Sequence, residues 1–124
     1  MSAKTLTKEQ KELVERLTRA GIQKNVAKTL VYIASRDETQ SREIELATDL
    51  RQPEVSIAMQ EIRNRGWVNK RDIKKEGKGR PVHGYTLSKT MKEIIKEIED
   101  KEKSRIKEIE QNIKAINRLV NSLY

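Results

Sequence analysis

The chain has 124 residues, no cysteine and a formal net charge of +8, with 37% charged and 35% hydrophobic residues. This length favours one domain with an appendage, and the absence of cysteine excludes disulfides, thiolate metal sites and cysteine nucleophiles. There is no run of about 18 apolar residues and no apolar stretch typical of a signal peptide, so we expect a cytoplasmic protein.

The positive charge is concentrated in one part of the chain. Residues 51–90 carry ten Lys and Arg against four Asp and Glu, a net charge of +6. Residues 1–50 and 91–124 each have a net charge of +1. A localised basic surface is typical of a protein that binds a polyanion. The alternative is a generally basic surface that serves solubility alone.

The first part of the chain predicts two helices. Thr7 and Gln10 have the spacing of a capping box, and Gly21 is suited to end the helix that follows. A second helix is predicted over residues 23–35, because apolar residues recur there at helical spacing. Its apolar face is Val26, Ala27, Leu30, Val31 and Ala34.

A third helix is predicted after a polar turn and a short strand at Thr39–Gln40. Ser41 is expected to be its N-cap, with Glu43 in the first turn, where the helix dipole favours negative charge. The residues expected to face inward are Ile44, Leu46, Ala47 and Leu50.

A tight turn at 49–52 leads to a fourth helix and a hairpin. Pro53 suits the first helical position, because the N–H that proline lacks would be unpaired there. Gly66 suits the left-handed residue that ends the helix. Strands are predicted over 67–73 and 82–87, with a basic, glycine-rich loop between them. The expected buried stripe of the helix is Val55, Ala58, Met59 and Ile62.

This order of elements predicts a mainly α fold with a small β-hairpin wing. We expect a winged helix-turn-helix over residues 1–88 and a long helix over 89–124, capped by Ser88 and ending near residue 122. Apolar residues recur along this helix in steps of three and four, in two blocks related by a stutter. We expect them to pair two copies of the chain; the alternative is a helix that folds back on its own domain. The residues expected at the dimer seam are Ile95, Ile98, Ile106, Ile109, Ile113, Ile116, Val120 and Leu123.

The outer face of the fourth helix has side chains that could contact DNA bases. In a helix-turn-helix the second helix lies in the major groove, and its N-terminal half reaches the base edges. Gln can bond adenine, Glu can accept from cytosine, and an exposed Ile can contact a thymine methyl group. The expected base contacts are Gln52, Pro53, Glu54, Ser56, Ile57 and Gln60.

Phosphate contacts are expected from helix N-termini and from the wing. Arg80, between Gly79 and Pro81, suits a narrow minor groove. His83 is the single histidine, so we expect no catalytic residue, metal or cofactor, and we interpret it as a wing residue. The expected backbone and wing contacts are Lys24, Asn25, Ser41, Arg42, Arg63, Lys70, Arg71, Lys74, Lys75, Lys78, Arg80 and His83.

Residues 41–88 resemble the winged-helix domains of prokaryotic, especially archaeal, transcription regulators of the TrmB, ArsR and MarR kind. The residues that carry the resemblance are Gln52-Pro53-x-Val55-Ser56, Gly66-Trp67-Val68 and Gly79-Arg80-Pro81 with Gly84-Tyr85-Thr86-Leu87-Ser88. Nearly the whole chain resembles stand-alone archaeal regulators with a C-terminal coiled coil. There are two departures: the cysteines of ArsR-type metal sensors and the sugar-binding domain of full TrmB regulators are missing.

Together these features predict a homodimeric, sequence-specific regulator of transcription that binds double-stranded DNA and associates with the nucleoid. Two other functions are compatible with the same features. A non-specific architectural DNA-binding protein would use the same wing, and a winged-helix interaction module would use the long helix to bind another protein. No residue indicates a particular small-molecule effector.

Overall fold

The computed structural model describes residues 5–73 and 82–124. The chain divides into two units, Met1–Thr90 and Met91–Tyr124. The elements in chain order are α1 (Lys8–Arg19), α2 (Lys24–Ala34), β1 (Thr39–Gln40), α3 (Ser41–Thr48), α4 (Gln52–Asn64), β2 (Val68–Ile73), β3 (Val82–Leu87) and α5 (Met91–Leu123).

α1 begins and ends as its sequence predicts. Thr7 and Gln10 form the reciprocal hydrogen bonds of a capping box, 2.8 and 3.1 Å long. At the other end, the N–H of Ile22 bonds the carbonyl of Leu17, as in a helix that ends at a left-handed glycine. Leu17 is also one of the residues with which α1 packs against the core.

α2 is the central helix of the first unit. It contacts α1, α3, α4 and β3, and this explains why residues on several of its faces are buried rather than one stripe. Four of the five predicted inward residues are buried, and Ala34 is half-buried. Leu30 is completely buried, so its replacement by Ala should cost about 2–5 kcal/mol of stability.

The helix-turn-helix forms at the predicted place, with its boundaries shifted by one residue. The N-cap of α3 is Gln40 rather than Ser41, because the N–H of Gln40 bonds a Glu43 carboxylate oxygen at 3.1 Å. α4 already begins at Gln52, so Pro53 is its second residue. Leu46 is 57% exposed and does not face inward, whereas the other three residues predicted to do so are buried.

The wing is part of a three-stranded antiparallel sheet in the order β1-β3-β2. Thr39 lies opposite Tyr85, and Lys70 lies opposite Tyr85 from the other side. Trp67 is buried but precedes β2, which begins one residue later than predicted. Gly66 has a φ of 76° and ends α4 as expected.

Ser88 closes the base of the hairpin instead of capping α5. Its hydroxyl donates to the carbonyl of Gly66, and its N–H donates to the carbonyl of Trp67. α5 begins three residues later, at Met91, and ends at Leu123. The two bonds from Ser88 join the residues before β2 to the residue after β3, so they stabilise the base of the hairpin.

α5 is a single helix of 33 residues with two kinds of apolar positions. Near its start, Ile94 and Ile98 are buried. From Ile106 onward the large apolar side chains are 47–71% exposed within the helix. A continuous apolar stripe of this length is rarely left in contact with water and typically marks a surface that another surface covers.

Candidate nucleic-acid interface

α4 presents one face to the core and the opposite face to solvent. Its buried stripe is the predicted one, and each of the four residues is at most 3% exposed. Because 3.6 residues make a turn, this packing fixes which side chains point outward. The residues exposed on the outer face are Gln52, Pro53, Glu54, Ser56, Ile57, Gln60, Arg63 and Asn64.

Hydrogen bonds organise the first turns of α4. The side-chain amide of Gln52 donates to the Ser56 hydroxyl at 2.9 Å. A Glu54 carboxylate oxygen accepts from the N–H of Arg51 at 2.9 Å. Glu54 therefore stabilises the helix start, a role that the sequence reasoning missed. Its signal is a Glu three residues after the N-cap, the second half of a capping box.

Ile57 is the clearest apolar feature of this face. It is 65% exposed, between Ser56 and the buried Ala58. An isoleucine side chain at a solvated position forgoes the free energy that burial would contribute, about 25 cal/mol for each Å² of apolar surface. Its exposure is what contact with a thymine methyl group requires.

The end of α4 and the start of β2 border an open polar niche of about 520 Å³. Among the residues that the structure describes there, Arg63 and Lys70 are the two cations, and none is an Asp or Glu. Asn69 was not among the predicted contacts, because strand alternation alone does not reveal a niche between two elements. The lining residues of this α4–β2 niche are Gln60, Arg63, Asn64, Val68, Asn69 and Lys70.

Arg71, next to Lys70, is engaged differently. Its guanidinium makes two hydrogen bonds with the carboxylate of Glu38, one of them 2.9 Å long. The bonds from Arg71 lower the pKa of Glu38, and the same bonds raise the pKa of Arg71. Two of the five guanidinium N–H groups are thereby used within the protein, so Arg71 is less available to a phosphate than Lys70.

Gly84 makes this ion pair possible. A Cβ at Gly84 would lie 2.8 Å from the Glu38 carboxyl carbon and 2.9 Å from Cδ1 of Ile73. Gly84 lies opposite Gln40 on one side and Arg71 on the other. The carboxylate of Glu38 therefore reaches Arg71 over a position without a side chain.

His83 is paired within the wing. Its Nδ1 lies 2.8 Å from Oδ1 of Asp72, the residue directly opposite it in the sheet. The interpretation of His83 as a wing residue fits this position. Within residues 5–73 and 82–124, no three His, Cys, Asp or Glu residues form a group suited to a metal ion.

The predicted phosphate contacts at helix N-termini do not form one patch. Ser41 and Arg42 start α3, whereas Lys24 lines a groove together with residues 46–49 at the end of α3. A helix of eight residues is about 12 Å long, so the two groups are separate. Four predicted wing contacts fall outside the described residues: Lys74, Lys75, Lys78 and Arg80.

One junction was not anticipated from the sequence. Arg65 bonds Glu61 at 2.7 Å and lies over the Trp67 ring, 4.9 Å from its centre. These contacts connect the last turn of α4 to the residue before β2. The signal in the sequence is the i, i+4 spacing of Glu61 and Arg65, which favours an ion pair on a helix.

No helix in the described part of the chain is long and apolar enough to cross a membrane. No known protein-family profile matches the sequence, and no curated protein sequence matches it. Solved structures do match in fold, at low sequence identity.

One match is TrmBL2, described as an archaeal chromatin protein with a novel mode of DNA binding. It is 16% identical, with a TM-score of 0.61 over 93% of this chain and 42% of that chain. A possible transcriptional regulator from Methanosarcina mazei Go1 is 15% identical, with a TM-score of 0.62 over 84% of this chain and 86% of that one.

MepR, a transcription regulator of the Staphylococcus aureus multidrug efflux pump MepA, is 14% identical, with a TM-score of 0.51 over 93% of this chain and 90% of that one. This chain thus spans less than half of TrmBL2 but most of the other two proteins. At these identities the matches show the fold. They confirm the predicted fold class: a winged helix-turn-helix with an antiparallel wing and a long C-terminal helix, as in regulators of the MarR and TrmB kind.

Proposed function

We propose that this chain is a homodimeric, sequence-specific transcription regulator that binds double-stranded DNA. The observation that carries the proposal is the division of α4 into a buried apolar stripe and an exposed polar face. That face stands beside a wing in the most basic part of the chain. A helix held in this way is suited to the major groove, with the wing on the backbone.

Most of the proposed base contacts lie in the first half of α4, and Gln60 lies one turn beyond Ser56. Gln52, Ser56 and Gln60 carry hydrogen-bonding groups one turn apart, and Ile57 supplies an apolar contact. Glu54 keeps its second carboxylate oxygen for a cytosine amino group, since the first bonds the N–H of Arg51. Wing cations hold the backbone and contribute affinity rather than sequence preference.

The exposed stripe of α5 supports the dimer. Seven large apolar side chains between Ile106 and Leu123 are 47–71% exposed, and Leu119, absent from the predicted seam, is one of them. Of the two predicted seam residues nearest the start of α5, Ile98 is 8% exposed and Ile95 is 37% exposed, whereas the continuous exposed stripe, and with it the proposed seam, begins at Ile106. A second copy with the same stripe would cover these residues, as in a coiled coil.

Selection of bound sequences from random DNA duplexes at moderate salt tests the proposal. We expect enrichment of a pseudo-palindrome with half-sites about one helical turn, roughly 10 bp, apart. If no sequence is enriched while binding is tight, the specific-regulator proposal is wrong.

A non-specific architectural role is the second candidate. It is favoured by the fold match to TrmBL2, whose description is that of a chromatin protein. This role requires a steep decrease of affinity with salt and little difference between DNA sequences. The same selection experiment, combined with binding measured at several salt concentrations, distinguishes the two roles.

A further inference from the structure

Four cations lie at the C-terminal end of α4 and on β2, and they fall into two groups of two. Arg65 is held by Glu61 and Trp67, and Arg71 is held by Glu38. Arg63 and Lys70 are exposed, and among the described residues neither side chain has a hydrogen bond or an ion pair. The two cations without a partner are the two that line the α4–β2 niche.

Local geometry explains why Arg71 is paired and Lys70 is not. Gln60, Arg63 and Asn64 are three and four residues apart, so they share one face of α4. Along β2 successive side chains point to opposite faces, so Lys70 and Arg71 diverge. Lys70 faces the side of the buried Tyr85, which lies opposite it, whereas Arg71 faces the side on which Glu38 crosses the sheet.

The chemistry of the niche suits a singly charged phosphodiester. Two cations whose side chains have no partner in the described part of the chain line a space of about 520 Å³, and none of its described lining residues is a carboxylate. The side-chain amides of Gln60 and Asn64 add N–H donors, which bond phosphate oxygens as readily as they bond base edges. The apolar contribution is limited to Val68, so an apolar ligand would bury little surface there.

We propose that the α4–β2 niche binds one phosphate of the DNA backbone, held jointly by Arg63 and Lys70. This inference rests on the proposed function, because it requires DNA as the partner. The contact anchors the C-terminal end of α4 to the backbone. It thereby sets how deeply the N-terminal half, with Gln52 and Ser56, enters the groove. Arg63 and Lys70 are in this sense positioning residues for base recognition.

The salt dependence of DNA binding tests the shared phosphate. Each phosphate contact contributes about 0.9 to the slope of log affinity against log salt concentration. Because both cations hold one phosphate, the magnitude of this slope should be about 0.9 smaller in the Arg63→Gln/Lys70→Gln double variant than in the wild type. It should not be smaller by the roughly 1.8 expected for two independent phosphates. The control is Arg16→Gln, in which an exposed arginine on α1 is replaced and the slope should stay unchanged.

A decrease of about 1.8 in the slope, or a slope as unchanged as that of the Arg16→Gln control, would overturn the inference. If the wild-type protein binds no duplex DNA, the proposed function fails instead. A second measurement is independent of DNA. Inorganic phosphate titrated into the full-length protein should shift the side-chain amide NMR signals of Gln60 and Asn64, and the double variant should lose these shifts. Equal shifts in both proteins, or none in the wild type, would contradict the niche.

Discussion

Glu38 and Arg71, 33 residues apart in the chain, are joined by two hydrogen bonds across the sheet above Gly84. Glu38 immediately precedes β1, whereas Arg71 lies on β2, and β3 runs between the two strands. The pair therefore links the strand that leads into the helix-turn-helix with the outer strand of the wing.

Replacement of Arg71 by Gln should raise the pKa of Glu38 toward its ordinary value. The bonds from Arg71 depress that pKa in the folded protein. The stabilising contribution of the pair is therefore present above the ordinary, unfolded-state pKa of a glutamate and is lost as the pH falls through the lower folded-state pKa. Carbon-detected NMR titration of the side-chain carboxyl measures this, with Arg16→Gln as control. If Glu38 titrates identically in all three proteins, the pair does not form in solution.

Gly84→Ala should displace Glu38 without unfolding the protein. The added Cβ would be too close to the ends of the Glu38 and Ile73 side chains. Such ends can rotate away, so we expect a loss of stability at the low end of the roughly 1–3 kcal/mol typical of overpacking. Chemical denaturation measures the loss, and the pKa of Glu38 should rise as it does in the Arg71 variant. The control is Thr86→Ala on the same strand, which should leave the pKa of Glu38 low.

Ile57→Ala and Met59→Ala should separate recognition from folding. Ile57 is 65% exposed and Met59 is 3% exposed on the same helix. We expect Ile57→Ala to leave the free energy of unfolding nearly unchanged and to reduce affinity for a selected DNA site. Met59→Ala should instead cost about 2–5 kcal/mol of stability. Urea denaturation and DNA-binding titrations on both variants decide this, and unchanged affinity of Ile57→Ala would remove its role in base contact.

Ile113→Asp should weaken the proposed dimer. Ile113 is 52% exposed near the middle of the proposed seam, and a charge placed in a coiled-coil core is costly to desolvate. Sedimentation equilibrium should show dissociation at concentrations at which the wild-type chain is dimeric. Gln111→Asp, two residues away on the same helix, introduces the same charge and should have little effect. A dimer equally stable in both variants would locate the interface elsewhere.

Much of the helix-turn-helix was predictable, because local rules decide it. The capping box at Thr7, the left-handed glycine at Gly66 and the spacing of the α4 stripe each involve residues within a few positions of one another. The errors at Ser41 and Pro53 are shifts of a single residue. In both cases the Glu three residues after the true N-cap accepts a hydrogen bond from the N–H of the N-cap residue. The helix then begins one residue earlier than predicted.

What could not be predicted depends on distant partners. Ser88 has a typical N-cap sequence, yet its hydroxyl bonds Gly66, 22 residues away. Arg71 belongs to a basic run that indicates a phosphate contact, yet Glu38 holds it. Leu46 fits a helical apolar pattern, yet 57% of it is exposed. Periodicity states which residues share a face but not what that face meets.

The sequence by itself therefore determined the order of the elements, the buried stripe of α4 and the concentration of charge at its C-terminal side. These follow from backbone geometry, side-chain spacing and composition, which are properties of neighbouring residues. Only the tertiary structure decided which of the basic side chains are free. Two cations adjacent in sequence, Lys70 and Arg71, point to opposite faces of a strand, and only one of those faces carries the carboxylate of Glu38.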